Sequence, residues 1–157
     1  MSLAATIHAS AALVDGTGIL VRGPAGAGKS SLLLALILAD RAANRLVADD
    51  RVVLSVAAGR LYASPPAALA GLIELRGHGI VRLPYVPMQP IGLIVDFLAQ
   101  ETPARLPEPG ERRARLHGIE LPRLALACGT PQGWISVRTV LMAGFEAVET
   151  LPACARD

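Results

Sequence analysis

The chain has 157 residues, enough for one domain whose core needs neither disulfides nor metal staples, and too few for a multidomain enzyme. With 52% hydrophobic and 18% charged residues it can bury enough apolar surface to offset the entropy of ordering, which excludes disorder outside the termini. The net charge of +2 is carried by scattered basic residues, so we expect no nucleic-acid and no membrane partner.

In chain order, Ala5 to Val14 is apolar and strand-compatible, Asp15-Gly16-Thr17-Gly18 supplies a turn, and Ile19 to Arg22 completes a β-hairpin. After Gly28, Ser30 to Ala39 is built of good helix formers on nearly all faces, as suits a helix buried against a sheet. Leu46-Val47-Ala48 reads as a short buried strand ending at Asp49-Asp50. Val52 to Ala57 and Arg60 to Ala63 read as a second hairpin turning at Gly59. Leu72 to Leu75 is a strand that Gly77-His78-Gly79 interrupts before Ile80-Val81, and Ile91 to Leu98 is a further apolar strand. Gln100 to Arg115 is polar, charged and Pro-bearing, and is expected to be a mobile loop. Ile119 to Ala127 returns to strand character, and an amphipathic helix is expected over about 132–149, from near Trp134 to Val148.

Cys128 and Cys154 are far apart with no CxxC or Cys/His cluster, which argues against a disulfide framework and a zinc site and fits a reducing compartment. No basic stretch precedes the first apolar residues, and Leu32 to Ala39 is too short to cross a bilayer, so a cytoplasmic location is expected.

The chemistry concentrates at Gly23-Pro24-Ala25-Gly26-Ala27-Gly28-Lys29-Ser30, a complete G-x-x-x-x-G-K-[ST] between a predicted strand and a predicted helix. The glycines let backbone N–H groups face phosphate, the helix N-terminus adds positive potential, Lys29 reaches the outer phosphates, and the Ser30 hydroxyl can hold Mg²⁺. Fourteen of the fifteen basic residues are Arg, and Lys29 is the only lysine. That excludes the Asn-Lys-x-Asp element by which GTPases read guanine, and no LSGGQ sequence is present.

Asp49-Asp50 ends an apolar strand, where a P-loop protein places its second acidic site. Alternation would point the two side chains apart, one toward the metal and the other toward the proton of an incoming hydroxyl; the alternative is a solvated turn.

His8, the P-loop fifteen residues later, Leu46-Val47-Ala48-Asp49-Asp50, and Leu72-Ile73-Glu74-Leu75-Arg76-Gly77-His78-Gly79-Ile80-Val81 together resemble the catalytic domain of HPr kinase/phosphorylase, over about residues 7–126. The resemblance implies a single α/β domain of P-loop NTPase type over 1–157, with a mixed β-sheet around the P-loop helix, similar to the HPr kinase and phosphoenolpyruvate carboxykinase type. It implies that Gly23 to Ser30 bind ATP, that Ser30 and Glu74 hold Mg²⁺ with Asp49 bearing on it, and that Asp50 accepts the proton of the substrate serine. His8 matches the family's active-site histidine, Lys29 contacts the outer phosphates, and Arg105, in Arg105-Leu106, matches its catalytic arginine, with Arg112, Arg113 and Arg115 in the same loop. The implied partner is an HPr-like phosphocarrier protein, and the implied assembly a homo-oligomer, a hexamer by family resemblance.

Each residue also has a plainer reading. His8 on an apolar segment suits a core or turn histidine, and Glu74 could be the solvent face of an alternating strand with Arg76 as its cross-strand partner. His78 and His117 lie in no metal-ligand spacing, and Trp134 reads as core or interface. Two departures from the family are expected: with seven residues ahead of His8 its separate N-terminal domain is expected to be missing here, and its late P-x-R-P-G-R stretch is replaced by Ala127-Cys128-Gly129-Thr130-Pro131. Kinase chemistry on a serine is therefore expected over the reverse phosphorylase reaction. The rival readings are a small-molecule P-loop kinase and a non-catalytic nucleotide-binding regulatory module.

Overall fold

A computed structural model describes residues 5–147. Val148 and Glu149 of the expected C-terminal helix, and Cys154, lie outside the described residues.

Hairpins organise the chain. β1 (Thr6–Val14) turns into β2 (Thr17–Arg22), β4 (Arg51–Ala57) into β5 (Arg60–Ser64), and β9 (Arg113–Leu116) into β10 (Ile119–Ala127). Each turn has two residues, Asp15-Gly16, Ala58-Gly59 and His117-Gly118, all at positive φ, with values of 49° and 82°, 50° and 72°, and 50° and 79°. Positive φ at both positions makes the mirror-image turn whose twist matches that of its strands, which accounts for glycine in second place. β3 (Arg45–Ala48) pairs with β1, and β8 (Gln89–Leu98) takes β2 and β10 as parallel neighbours.

The main sheet runs β2-β1-β4-β5-β8-β10-β9, and the extra pairing of β2 with β8 closes β2, β1, β4, β5 and β8 into a ring. One core, including Ala11, Leu20, Val52, Leu61 and Ile94, gathers residues from these strands. The other lies between the sheet and two helices, α1 (Lys29–Ala39) and α2 (Gly133–Ala143), and holds Val21, Leu33, Leu36, Val95 and Val137. Asn44 ties the end of α1 to the first hairpin, donating from Nδ2 to Leu36 O (2.7 Å) and accepting from Asp15 N–H (2.9 Å). A separate hairpin, β6 (Leu72–Leu75) and β7 (Gly79–Arg82), packs on this second core through Ile73.

The α/β fold with its mixed sheet around the P-loop helix is as expected. Three details differ. The segment Gln100 to Arg115 is not loop throughout: after a 3-10 turn at Pro109–Arg112 it enters β9, whose Ala114 and Leu116 pack on the first core while its arginines face out. α1 is buried against the sheet along Leu32, Leu33 and Leu36, as expected, but its apolar Leu38 is left 65% exposed. α2 stops at Ala143, because Gly144, at φ 92°, turns the chain and donates its N–H to Val140 O. Among the described residues no helix is long and apolar enough to cross a membrane.

Candidate functional site

The P-loop leaves the end of β2 and wraps the N-terminus of α1. Its first residue has no room for a side chain: a Cβ on Gly23 would stand 2.8 Å from Phe97 Cβ of β8. Its last glycine, Gly28, takes φ 109° and caps α1, with its carbonyl accepting from Leu32 N–H at 2.9 Å. The loop is closed by Ala27 N–H to Pro24 O (3.1 Å) and held from behind by Gly129 N–H to Ala27 O (3.0 Å).

Lys29 is only 6% exposed and folds back over the loop, its Nζ donating to Gly23 O (2.8 Å) and Pro24 O (2.9 Å). Burial pushes its pKa down, against the opposing pull of the Asp50 and Asp49 charges. Those carbonyls are neutral dipoles, so a phosphate oxygen with a full charge is the stronger partner for the same ammonium.

Beside the loop, the two aspartates diverge. Asp49 is buried and accepts from Ser30 Oγ at 2.8 and 2.9 Å and from Ser10 Oγ at 2.7 Å, with Glu74 N–H at 3.4 Å. Asp50 sits at φ 66° inside a three-residue turn closed by Arg51 N–H to Asp49 O (2.8 Å). Such positive-φ γ-turns are rare and cost on the order of 1–3 kcal/mol. The turn carries the Asp50 carboxylate to His8, whose Nε2 is 3.1 Å from Oδ1. His8 and Ser10 are two positions apart on β1 and so share a face, which lines up both contacts along the strand.

Glu74, on β6, lines a cavity of about 200 Å³ with Ser30, Ser31, Leu34, Leu75 and Arg76. Ser30 and Glu74 line one cavity and Asp49 is bonded to Ser30, and these hydroxyl and carboxylate oxygens are hard donors that fit Mg²⁺ better than a softer metal. Among the described residues no three His, Cys, Asp or Glu side chains cluster closely enough to hold a metal on their own. Phosphate oxygens and water would complete the shell, as is usual for Mg²⁺.

The structure thus brings together His8, Gly23 to Ser30, Asp49, Asp50 and Glu74. It does not bring Arg105 to the Ser30–Glu74 cavity: Arg105, with Arg112 and Arg123, lines a different cavity of about 690 Å³ between residues 101–112, β10 and α2. Two features escaped the sequence reading. One is Ser10, a buried hydroxyl whose only mark was its place two residues after His8. The other is a buried ion cluster at the foot of the P-loop. Arg22 grips Asp96 with Nε to Oδ1 (2.7 Å) and Nη2 to Oδ2 (2.8 Å), while Arg123 Nε reaches Oδ2 (2.6 Å) and its Nη1 reaches Glu111 O (3.0 Å). Burial acts to raise the Asp96 pKa, but the hydrogen bonds and charges of the two arginines prevail and hold it below the ordinary carboxylate value. The Arg22 pKa is raised by its hydrogen bond to Asp96, against the opposing effect of burial. A single carboxylate inside the apolar run Ile91 to Leu98 was the available sign.

Comparison with known proteins fits this geometry. The family described as the HPr Serine kinase C-terminal domain matches residues 1–86, which carry the P-loop, both aspartates, His8 and Glu74. The chain belongs to this family. HPr kinase/phosphorylase from Geobacillus thermodenitrificans is 32% identical over 136 residues, covering 79% of this chain and 43% of that protein. The Clostridium tetani HPr kinase/phosphorylase is 42% identical over 78 residues, covering 50% of this chain and 25% of that protein. The chain therefore spans less than half the length of these curated relatives. Among solved structures, the Hpr(Ser) kinase/phosphatase from Coxiella burnetii superposes with a TM-score of 0.71 at 28% identity, covering 89% of this chain and 99% of that one. The fold of this HPr serine kinase family member is thus shared with a solved relative over nearly its whole described length.

Proposed function

We propose that this chain is an ATP- and Mg²⁺-dependent protein-serine kinase acting on an HPr-like phosphocarrier protein. The observation that carries the reading is the His8–Asp50 pair standing next to a P-loop whose Ser30 is bonded to Asp49. When bound, ATP supplies the γ-phosphoryl group and Mg²⁺ neutralises its outer oxygens. The P-loop N–H groups and Lys29 hold the phosphates, and Ser30, Asp49 and Glu74 supply the oxygens that hold the metal. Asp50 accepts the proton of the substrate serine hydroxyl as that oxygen attacks phosphorus. His8 Nε2, directed at Oδ1, fixes the carboxylate and leaves Oδ2 for the incoming hydroxyl. Arg105 lines the separate 690 Å³ cavity, so it would offset charge that develops during transfer only after residues 101–112 move it toward the P-loop. Loss of cations from Ala127 to Pro131 makes the reverse, phosphate-dependent reaction weak. The protein acts in the cytoplasm as a homo-oligomer, a hexamer by family resemblance.

A small-molecule kinase is the second reading, supported by the arginine-lined 690 Å³ cavity, which is large enough for a metabolite. Labelled ATP is offered with HPr or with a metabolite pool: label on a serine of HPr supports the proposal, and label only on a metabolite supports the second reading. Nucleotide binding with no transfer to either would leave a binding module.

A further inference from the structure

At the tip of the β6–β7 hairpin, Arg76 reaches over the nucleotide loop. A Cβ added to Gly26, in the middle of the loop, would lie 3.8 Å from Arg76 Nη2. The same side chain lines the 200 Å³ cavity shared by Ser30 and Glu74. Its expected role as cross-strand partner of Glu74 is not realised: Glu74 stands opposite Ile80, and Arg76 lies in the turn beyond β6. Among the described residues Arg76 makes no hydrogen bond or ion pair, so nothing in the fold depends on its guanidinium.

This placement is economical only if something anionic fills the gap. Lys29, the chain's single lysine, turns its Nζ to the carbonyls of Gly23 and Pro24 and does not line this cavity. Glu74 lines the cavity and Asp49 is bonded to its Ser30, so carboxylates already stand beside it. Phosphates entering there bring further negative charge, and the free guanidinium over Gly26 is the one cation on the cavity side of the loop among the residues lining that cavity. Ser30 of the P-loop motif would hold the metal beside the outer phosphates, so an arginine in the same cavity lies toward the outer end of the nucleotide and not its base.

We propose that Arg76 is a catalytic residue that binds the outer phosphate oxygens of the nucleotide across the P-loop and neutralises charge there during transfer. A planar guanidinium can take two phosphate oxygens at once, which an ammonium at the same place could not match. The hairpin is then an arm of the site: its Glu74 faces the metal and its Arg76 the phosphates. This rests on the proposed nucleotide site, and the test separates the two.

The experiment measures binding of a non-hydrolysable ATP analogue and of ADP, both with Mg²⁺, by calorimetry on the wild type, Arg76→Ala, Arg76→Lys and Arg105→Ala, with thermal unfolding as a fold check. We expect Arg76→Ala to melt with the wild type, to bind the ATP analogue about tenfold or more weakly, and to bind ADP within about twofold of wild type, since the lost contact lies at the outer phosphate. Arg76→Lys should recover the affinity in part, and turnover of Arg76→Ala should fall on the order of 10²- to 10³-fold. Equal affinities of wild type and Arg76→Ala for the ATP analogue would overturn the assignment of Arg76. So would equal loss toward ATP analogue and ADP, which would put the contact elsewhere. Absence of nucleotide binding by the wild type would instead overturn the nucleotide site, and the role of Arg76 with it.

Discussion

Asp50 Oδ1 stands 3.1 Å from His8 Nε2, and this contact joins the turn after β3 to the first strand of the chain. The aspartate reaches it only by adopting φ 66°, a conformation that L-residues avoid. Strain of this kind persists where surrounding structure enforces it, and here the neighbour that enforces it is Asp49, locked by two serine hydroxyls.

Asp50→Asn should therefore abolish phosphoryl transfer while leaving nucleotide affinity within about threefold of wild type, because the amide keeps the shape but cannot take a proton. Single-turnover transfer and calorimetric binding, run on the same preparation, check this. Equal loss in both would move Asp50 into the metal site. Asp50→Gly, by contrast, should raise stability by about 1 kcal/mol through relief of the backbone while remaining inactive.

Lys29→Ala removes the only lysine, and the loop amides that remain cannot supply a full charge. Transfer should be lost and nucleotide affinity should fall at least about tenfold. The variant should still melt cooperatively, since the two hydrogen bonds of Nζ go to carbonyls of an exposed loop that water can satisfy. Turnover near that of the wild type would remove the P-loop assignment.

Most of this site could be read from the chain before the structure, because its parts sit at fixed spacing on adjacent elements. The P-loop needs only a strand before it and a helix after it, and local patterning predicts both. That Asp49 and Asp50 diverge is expected from strand alternation, but β3 ends at Ala48 and it is the positive-φ turn at Asp50 that separates them. What could not be read were contacts between residues far apart in sequence, such as Ser10 with Asp49 or Arg22 with Asp96 and Arg123, for which no local pattern exists. β9 was hidden for another reason. Arg113-Ala114-Arg115-Leu116 does alternate, and His117-Gly118 is a hairpin turn, but its charge merged it with the polar stretch before it. The reach of Arg105 could not be judged from spacing, because residues 101–112 bend back along β10.

Ser10→Ala tests the least visible member of the site. Losing a buried hydroxyl that bonds a carboxylate should cost about 1–2 kcal/mol, seen as a lower urea midpoint with unchanged slope. With one donor gone, Asp49 is less firmly oriented toward Ser30, and the Mg²⁺ concentration for half-maximal activity should rise several-fold, by analogy with supporting residues around other metals. An unchanged Mg²⁺ requirement would confine Ser10 to stability.

The Asp96 cluster predicts a specific acid response. A folded-state pKa held below the ordinary value contributes stability that is present above the unfolded carboxylate value, about 3.9, and is lost as pH falls through the folded one. Asp96→Asn should lower the melting temperature near neutral pH, by an amount that corresponds to about 2–3 kcal/mol for a partly screened cluster left with two arginines. The gap to wild type should narrow below about pH 4 as the native carboxylate protonates. A gap that stays constant from pH 7 to pH 2 would show that the charge of Asp96 is not what matters.

The parallel pairing of β2 with β8 has a consequence for how the molecule is made. The stretch that marks the family ends at residue 86, before β8 begins at Gln89, yet residues 18–22 find their second neighbour only in residues 91–96. Gly23 likewise meets its back wall only in Phe97. A nascent chain on the ribosome therefore carries every recognisable motif of its nucleotide loop well before it has the strand that shapes it. Pairings this distant in sequence form late, because loop closure must be paid first. The loop should be among the last parts to gain protection against amide exchange, and a fragment cut at the family boundary should contain the right residues and fail to hold a nucleotide.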